Sequence, residues 1–89
     1  MSKFAEILAS GARHADEVGR DGWTVELRVL PRGIGVSVKR WAFMADGFFT
    51  YGSLVSGPEG LLVMAIDRLV AEVDGKRAAS SRAGAPAAH

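Results

Sequence analysis

The chain has 89 residues, 48% hydrophobic and 24% charged, which is the composition of one globular domain near the lower size limit for unaided folding. It contains no cysteine, which excludes a disulfide framework, a thiolate zinc site and a cysteine nucleophile. No apolar run is long enough to span a bilayer, so we expect a cytoplasmic protein with neither signal peptide nor membrane anchor.

The formal net charge of +1 is unevenly distributed along the chain. All 10 acidic residues and 8 of the 11 basic residues precede Gly75, so that part carries 8 − 10 = −2. The remaining basic residues are Lys76, Arg77 and Arg82, so the rest carries +3. A negatively charged body argues against strong binding of nucleic acid, which depends on neutralising phosphates.

The first segment, from Ser2 to Val18, has the periodicity of an amphipathic helix, and Gly19 is a suitable residue to end it. The apolar side consists of Phe4, Ile7, Leu8, Gly11, Ala12, Ala15 and Val18. Since several of these side chains are small, this helix can pack close to a sheet or to a second helix.

The next segment predicts a β-hairpin that turns at Leu30-Pro31-Arg32-Gly33. The pairs on one face are Val29 with Ile34, Leu27 with Val36, Val25 with Val38 and Trp23 with Arg40. The other face pairs Glu26 with Ser37 and Thr24 with Lys39. This alternation is typical of an antiparallel sheet with one side on a core.

Asp46-Gly47 predicts a second, type I′ turn, because both central residues of such a turn need a positive φ. The second strand then continues to Met44, and Met44 pairs with Phe49. On this register the core face carries Ala42, Met44, Phe49, Tyr51 and Val55, and the outer face carries Trp41, Phe43, Phe48 and Leu54. The outer face is unusually apolar.

A second helix is predicted from the capping-box spacing of Ser56 and Glu59 to about Asp74, with Pro58 in its first turn. Its main apolar stripe consists of Leu62, Ile66, Leu69 and Val73. Residues 75–89 lack periodicity and are predicted to be a flexible tail on a domain of residues 1–74. The fold class is α+β, in the order α-β-β-β-α, with a three-stranded antiparallel sheet and both helices on one of its faces.

No constellation in the sequence supports catalysis, a metal or a cofactor. His14 has no second histidine near it in the predicted domain, and the nearby carboxylates lack the spacing of a calcium loop. Gly33-Ile34-Gly35 precedes a strand, whereas a phosphate-binding loop precedes a helix. We therefore predict a non-catalytic protein.

The outer sheet face is the predicted binding surface, because it mixes aromatic anchors with cations. Its residues are Arg28, Lys39, Trp41, Phe43, Phe48, Thr50 and Leu54; a secondary patch on the second helix consists of Leu61, Met64 and Arg68. Three alternatives compete: a bulge near Arg40-Trp41 that turns the aromatic residues inward, a tail or loop that covers the face, and a homodimer interface.

The predicted order of elements over residues 2 to 74 is similar to that of double-stranded RNA-binding domains. That family places lysines at the start of its last helix, where this chain has Gly57-Pro58-Glu59-Gly60-Leu61-Leu62, so the resemblance is one of topology. In size, composition and lack of motif, the chain resembles the small inhibitor proteins of phages and mobile elements, among them the anti-CRISPR proteins. This second resemblance implies stoichiometric binding to a bacterial defence complex. A nucleic-acid-binding module and a small structural or dimerisation domain are the alternatives.

Overall fold

A computed structural model describes the backbone of residues 3–87 and the side chains of residues 3–81. The elements are α1 (Lys3–Arg20), β1 (Thr24–Leu30), β2 (Gly33–Arg40), β3 (Phe43–Thr50), α2 (Tyr51–Ser56) and α3 (Leu61–Ala87). The strands form one open antiparallel sheet in the order β1-β2-β3. The predicted α+β class and the order helix, three strands, helix are confirmed, and the short helix α2 is an addition.

The first hairpin has the predicted register throughout. Leu27 pairs with Val36, Val25 with Val38, and the turn lies between Leu30 and Gly33. Val36 and Val38 are fully buried, whereas Lys39 on the opposite face is exposed. The period-two alternation therefore identified both the pairing and the face that packs on the core.

The second hairpin was predicted in the wrong place. The chain turns at Trp41 and Ala42, not at Asp46-Gly47, and β3 runs back along the whole of β2. Val38 pairs with Ala45, and Ile34 pairs with Phe49. Asp46 and Gly47 lie in the middle of β3.

The observed register satisfies more of the backbone than the predicted one. It gives every residue of β2 from Gly33 to Lys39 a partner on both sides, whereas the predicted turn leaves each half of the central strand with a single neighbour. Gly33 permits the close approach of β3, because a Cβ there would lie 2.1 Å from the carbonyl oxygen of Phe49. Pairing over the full strand outweighs the local turn preference of Asp-Gly.

The core lies between one face of the sheet and the helices. Its fully buried large side chains are Ile34, Leu54, Leu62, Ile66, Val36, Val38 and Val73. Leu27 of β1 packs at the margin of this core and is only partly buried. The apolar stripe of α3 covers β2 and β3, while α1 lies beside it over β1.

Helices α1 and α3 approach closely at Gly11, as the small residues of α1 predicted. A Cβ on Gly11 would lie 2.8 Å from Cδ1 of Leu62, so a larger residue would force the helices apart. His14 joins the same two helices, with Nε2 2.6 Å from Oδ1 of Asp67. Its Nδ1 lies 3.7 Å from Oε2 of Glu17 on α1.

The segment between β3 and α3 differs from the prediction. Ser56 ends α2 and its hydroxyl donates to the carbonyl of Gly52, so the predicted capping box with Glu59 does not form. Gly60 has a φ of +76° and its carbonyl accepts the N–H of Met64 in the first turn of α3. Five of the six residues of α2, residues 51–55, thus occupy a stretch predicted to be strand.

Helix α3 continues well beyond its predicted end at Asp74. It passes through Gly75 and ends at Ala87, along most of the segment that was predicted to be a flexible tail. Among the side chains that the structure describes, the last buried one is Val73, and those of residues 75–81 are exposed. Residues 88 and 89 of the predicted tail lie outside the described residues.

Candidate binding surface

The turn between β2 and β3 carries an aromatic residue in a conformation that normally requires glycine. Trp41 has a φ of +58°, and it is the one non-glycine residue with a positive φ in the described part of the chain. A positive φ at the first central residue of a two-residue hairpin loop is a feature of type II′ turns, where glycine is usual. A bulky side chain there strains the backbone by about 1–3 kcal/mol.

Cations and a second tryptophan hold the Trp41 ring in place. The guanidinium Cζ of Arg77 lies 4.4 Å from the ring centroid, and that of Arg40 lies 4.7 Å from it. The ring meets that of Trp23 edge to face, with centroids 5.8 Å apart and an interplanar angle of 68°. Arg40 also lies 5.1 Å from the Trp23 centroid, so it touches both rings. Trp41 is nevertheless 47% exposed.

We call the surface around this ring the Trp41 patch; it consists of Arg40, Trp41, Lys76 and Arg77. Lys76 reaches β3, where its Nζ donates to the carbonyl oxygen of Met44 over 2.7 Å. Among the described residues, none of these three cations forms a salt bridge with a carboxylate. The extension of α3 past Gly75 thus brings two cations of the predicted tail to the β2–β3 turn.

The outer face of the sheet adjoins the patch. Its residues are Thr24, Glu26, Arg28 and Leu30 on β1, Gly35, Ser37 and Lys39 on β2, and Met44, Asp46 and Phe48 on β3. Met44 is 53% exposed and Phe48 is 49% exposed. Gly35 and Ser37 have small side chains, so shallow grooves of about 350 and 240 Å³ run along the centre of the face.

The structure places only part of the predicted binding surface together. Arg28, Lys39 and Phe48 lie on the outer face and are exposed, as predicted. Trp41 is also exposed, but it lies in the turn at the end of the sheet. Thr50 is exposed at the end of β3, where its hydroxyl accepts the N–H of Ser53 and caps α2.

Two residues of the predicted surface belong to the core. Phe43 is the first residue of β3 and packs against the buried cluster, because the earlier turn reverses its face. Leu54 lies on α2 and is 1% exposed. Conversely, Met44 and Val55 were predicted to be core residues and are exposed. The earlier turn reverses the face of Met44, and Val55 lies on α2.

The secondary patch on the last helix is likewise divided. Leu61 packs against the core cluster at the start of α3. Met64 and Arg68 are exposed on α3, as predicted. Met64 lies thirteen residues from Arg77, or about 20 Å along the helix, so it is well separated from the Trp41 patch.

Sequence reasoning missed Arg40, Lys76 and Arg77 as surface residues of one site. The pairing of Trp23 with Arg40 was a usable signal, since it places a guanidinium beside an aromatic ring. For Lys76 and Arg77 the signal was weak, because Gly75 and the polar residues after it resemble a helix end. Only the packing of α3 along the sheet brings these two residues to Trp41.

The rest of the described structure offers little else of chemical interest. No group of three or more histidine, cysteine or acidic residues is arranged to hold a metal within the described residues. No helix in that part of the chain is long and apolar enough to cross a membrane.

Comparison with known proteins gives no relative: no family model, no curated protein and no solved structure matches this chain.

Proposed function

We propose that this protein is a non-catalytic binding module that engages an acidic surface of a protein partner through the Trp41 patch. The observation that carries the proposal is an exposed tryptophan at a position suited to glycine, with two guanidinium groups against its ring. Its partner is bound stoichiometrically, without cofactor or turnover.

Stability alone gives no reason for a tryptophan at this turn. Glycine would remove the backbone strain of about 1–3 kcal/mol, and an exposed ring gains little from burial. The contacts with Trp23, Arg40 and Arg77 instead fix the orientation of the ring. A rigid aromatic side chain loses little entropy on binding, which is why tryptophan is enriched at the energetic centres of protein interfaces.

The charges of the patch indicate the chemistry of the partner. Three cations without a carboxylate partner in the described part of the chain repel one another, and an acidic partner relieves that repulsion. Arg40 and Arg77 stack on the tryptophan rings, which leaves guanidinium N–H groups available for carboxylates in a planar, bidentate geometry.

The outer sheet face extends the binding surface beyond the patch. Met44 pairs with Lys39 on the outer face and is followed on that face by Asp46 and then Phe48. These exposed apolar side chains adjoin the cations, as expected for an interface with an apolar centre and a charged rim. An interface of standard size requires about 800 Å² from each partner, so we expect the face to take part together with the patch.

Among acidic partners, we favour a component of a bacterial defence complex in the cytoplasm, with this protein as its phage-encoded inhibitor. The general resemblance to small inhibitor proteins of the anti-CRISPR kind motivates that choice. A bulky anchor beside clustered cations suits a protein that covers a functional surface of a larger complex.

Nucleic acid is the second candidate partner, and the three clustered cations favour it. Two observations count against it. Arg40 and Arg77 both lie over the Trp41 ring, where a base would stack. Glu26 and Asp46 also lie on the adjoining face, where they would repel phosphates.

Affinity capture from a bacterial lysate tests the proposal, using the wild-type protein and three variants in parallel. Trp41→Gly removes the anchor at a position that glycine suits, Arg77→Glu reverses one charge, and Met64→Ala is the matched control on α3. We expect a protein captured in stoichiometric amounts by the wild type and by Met64→Ala, and lost with the other two. Equal capture by all four would refute a role for the patch.

A direct titration distinguishes the nucleic-acid alternative. The probes are a fluorescein-labelled dT oligonucleotide and a labelled DNA duplex, each about 20 nucleotides long and followed by fluorescence anisotropy in about 50 and 200 mM salt. We expect no saturable binding at the higher salt. Tight binding there that Arg77→Glu abolishes would assign the patch to nucleic acid.

A further inference from the structure

Strand β1 is an open edge of the sheet. It pairs with β2 on one side only. In the described part of the chain, its one further hydrogen bond is donated by the hydroxyl of Tyr51 to the carbonyl of Leu30. Every second residue of an edge strand directs its N–H and C=O away from the sheet, so β1 offers an unpaired ladder. The sequence TVELRVL contains neither proline nor lysine, the residues that commonly block such an edge.

A groove lies beside this edge, under α1. Its volume is about 670 Å³, and its lining residues are Ala12, Ala15, Asp16, Gly19 and Arg20 of α1, Trp23, and Thr24, Val25 and Leu27 of β1, so one charged pair borders it. The small side chains of α1 leave this space open. On the same face of β1 as Val25 and Leu27, Val29 is 60% exposed, the largest exposed fraction among the exposed large apolar side chains. An apolar face is therefore uncovered next to an unpaired strand.

The residues of β1 on either side of Leu27 can pair with one another when two copies of the strand run antiparallel. Glu26 and Arg28 flank Leu27 with opposite charges, and Val25 and Val29 lie two residues away on either side. We propose that two copies of this protein pair through β1 in antiparallel orientation, with Leu27 on the two-fold axis, and so form a continuous six-stranded sheet. The proposal is independent of the Trp41 patch, which lies at the β2–β3 turn.

In this register the side chains from Val25 to Val29 each meet a complementary one. Glu26 lies opposite Arg28 of the second copy, and the two-fold axis repeats that pair. Val25 lies opposite Val29 of the second copy. Val29 of one copy thereby enters the groove that Ala12 and Ala15 line in the other copy. This contact would fill the groove and bury a side chain that is exposed in the single chain.

Other registers lack this complementarity. Opposite residues must share a face, so the axis has to pass through a residue of β1. Centring the pair on Glu26 places two carboxylates opposite each other, and centring it on Arg28 places two guanidinium groups opposite each other. Only an axis at Leu27 also pairs all seven residues from Thr24 to Leu30, a length of about 23 Å.

The area available is consistent with a dimer of moderate affinity. A strand edge alone is smaller than the roughly 800 Å² per partner of a standard interface. The groove adds the side of α1 that carries Ala12 and Ala15. We therefore expect a dissociation constant in the micromolar range, and a concentration-dependent equilibrium between monomer and dimer.

Charge-reversal variants test the register directly. In Glu26→Arg, residue 26 faces Arg28 of the second copy; in Arg28→Glu, residue 28 faces Glu26. Both side chains are well exposed, so the fold is retained, which circular dichroism verifies. We expect each variant alone to dimerise at least roughly tenfold more weakly than the wild type by sedimentation equilibrium.

An equimolar mixture of the two variants gives the decisive result. One variant carries arginine at both positions 26 and 28, and the other carries glutamate at both. Each arginine of the first variant then faces a glutamate of the second across the interface, so we expect a heterodimer to form. Native mass spectrometry identifies it by mass. Val29→Lys, which blocks the edge, should be monomeric. A wild-type protein that is monomeric at about 1 mM, or a mixture no more associated than its components, would overturn the proposal.

Discussion

The strained turn makes an unusual prediction about stability: at position 41, glycine should be better than alanine. Both Trp41→Gly and Trp41→Ala lose the ring and its contacts with Arg40, Arg77 and Trp23. Only alanine keeps a Cβ in the positive-φ conformation, a strain of about 1–3 kcal/mol. Glycine in turn raises the entropy of the unfolded chain, which destabilises the fold by about 0.4–1 kcal/mol. The difference favours glycine by about 1–2 kcal/mol.

Urea unfolding followed by circular dichroism measures this difference without relying on tryptophan fluorescence. With a denaturant slope of about 1–3 kcal/mol/M, the midpoint of Trp41→Gly should exceed that of Trp41→Ala by roughly 0.5–1 M. Equal slopes are required for the comparison. If alanine proved as stable as glycine, Trp41 would not have a positive φ, and the inference that its position serves binding would lose its basis.

Further predictions concern the core, the helix contact and the last helix. Ile66→Ala should destabilise the fold by about 2–5 kcal/mol in urea unfolding, since Ile66 is fully buried; a loss below about 1 kcal/mol would contradict the core described above. Gly11→Ala should lower stability by about 1–3 kcal/mol by pressing on Leu62, whereas Gly19→Ala, with open space around it, should be neutral or slightly stabilising. Truncation after Gly75 should shift the Tm by only a few degrees, because the removed side chains described here are exposed, yet it should weaken partner binding; a large drop in Tm would show that the segment supports the core.

The fold class and the first hairpin could be predicted because their signals are local. Alternating apolar and polar residues from Val25 to Val38 specify both the register and the buried face, and the 3.6-residue period specifies α1 and most of α3. These patterns agree with the tertiary structure, since one apolar face is enough to form the core.

The second hairpin could not be predicted, because its local and tertiary preferences disagree. Asp46-Gly47 has the stronger turn propensity, but a turn at Trp41 lets β3 pair along all of β2. The early turn also frees the residues after Thr50 to form α2, which buries Leu54. Nothing in the residues around Trp41 signals a positive φ, so the sequence assigns Trp41 and Phe43 to a strand.

The candidate site was predicted only in part for a related reason. The register of β1 and the alternation of side chains along the strands predict the exposed position of Arg28, Lys39 and Phe48 on the outer face. The Trp41 patch depends on a contact between Trp41 and Arg77, which are 36 positions apart. Such a contact arises from how α3 crosses the sheet, and no periodicity encodes it.

The most direct test of the proposed function is a calorimetric titration of the captured partner with the wild-type protein, Trp41→Gly and Met64→Ala. As the anchor of the interface, Trp41 should contribute about 2 kcal/mol or more, so Trp41→Gly should raise the Kd roughly 30-fold or more at unchanged stoichiometry. Met64→Ala should match the wild type. A Trp41→Gly variant that is folded and binds within about twofold of the wild-type Kd would contradict a binding surface centred on Trp41.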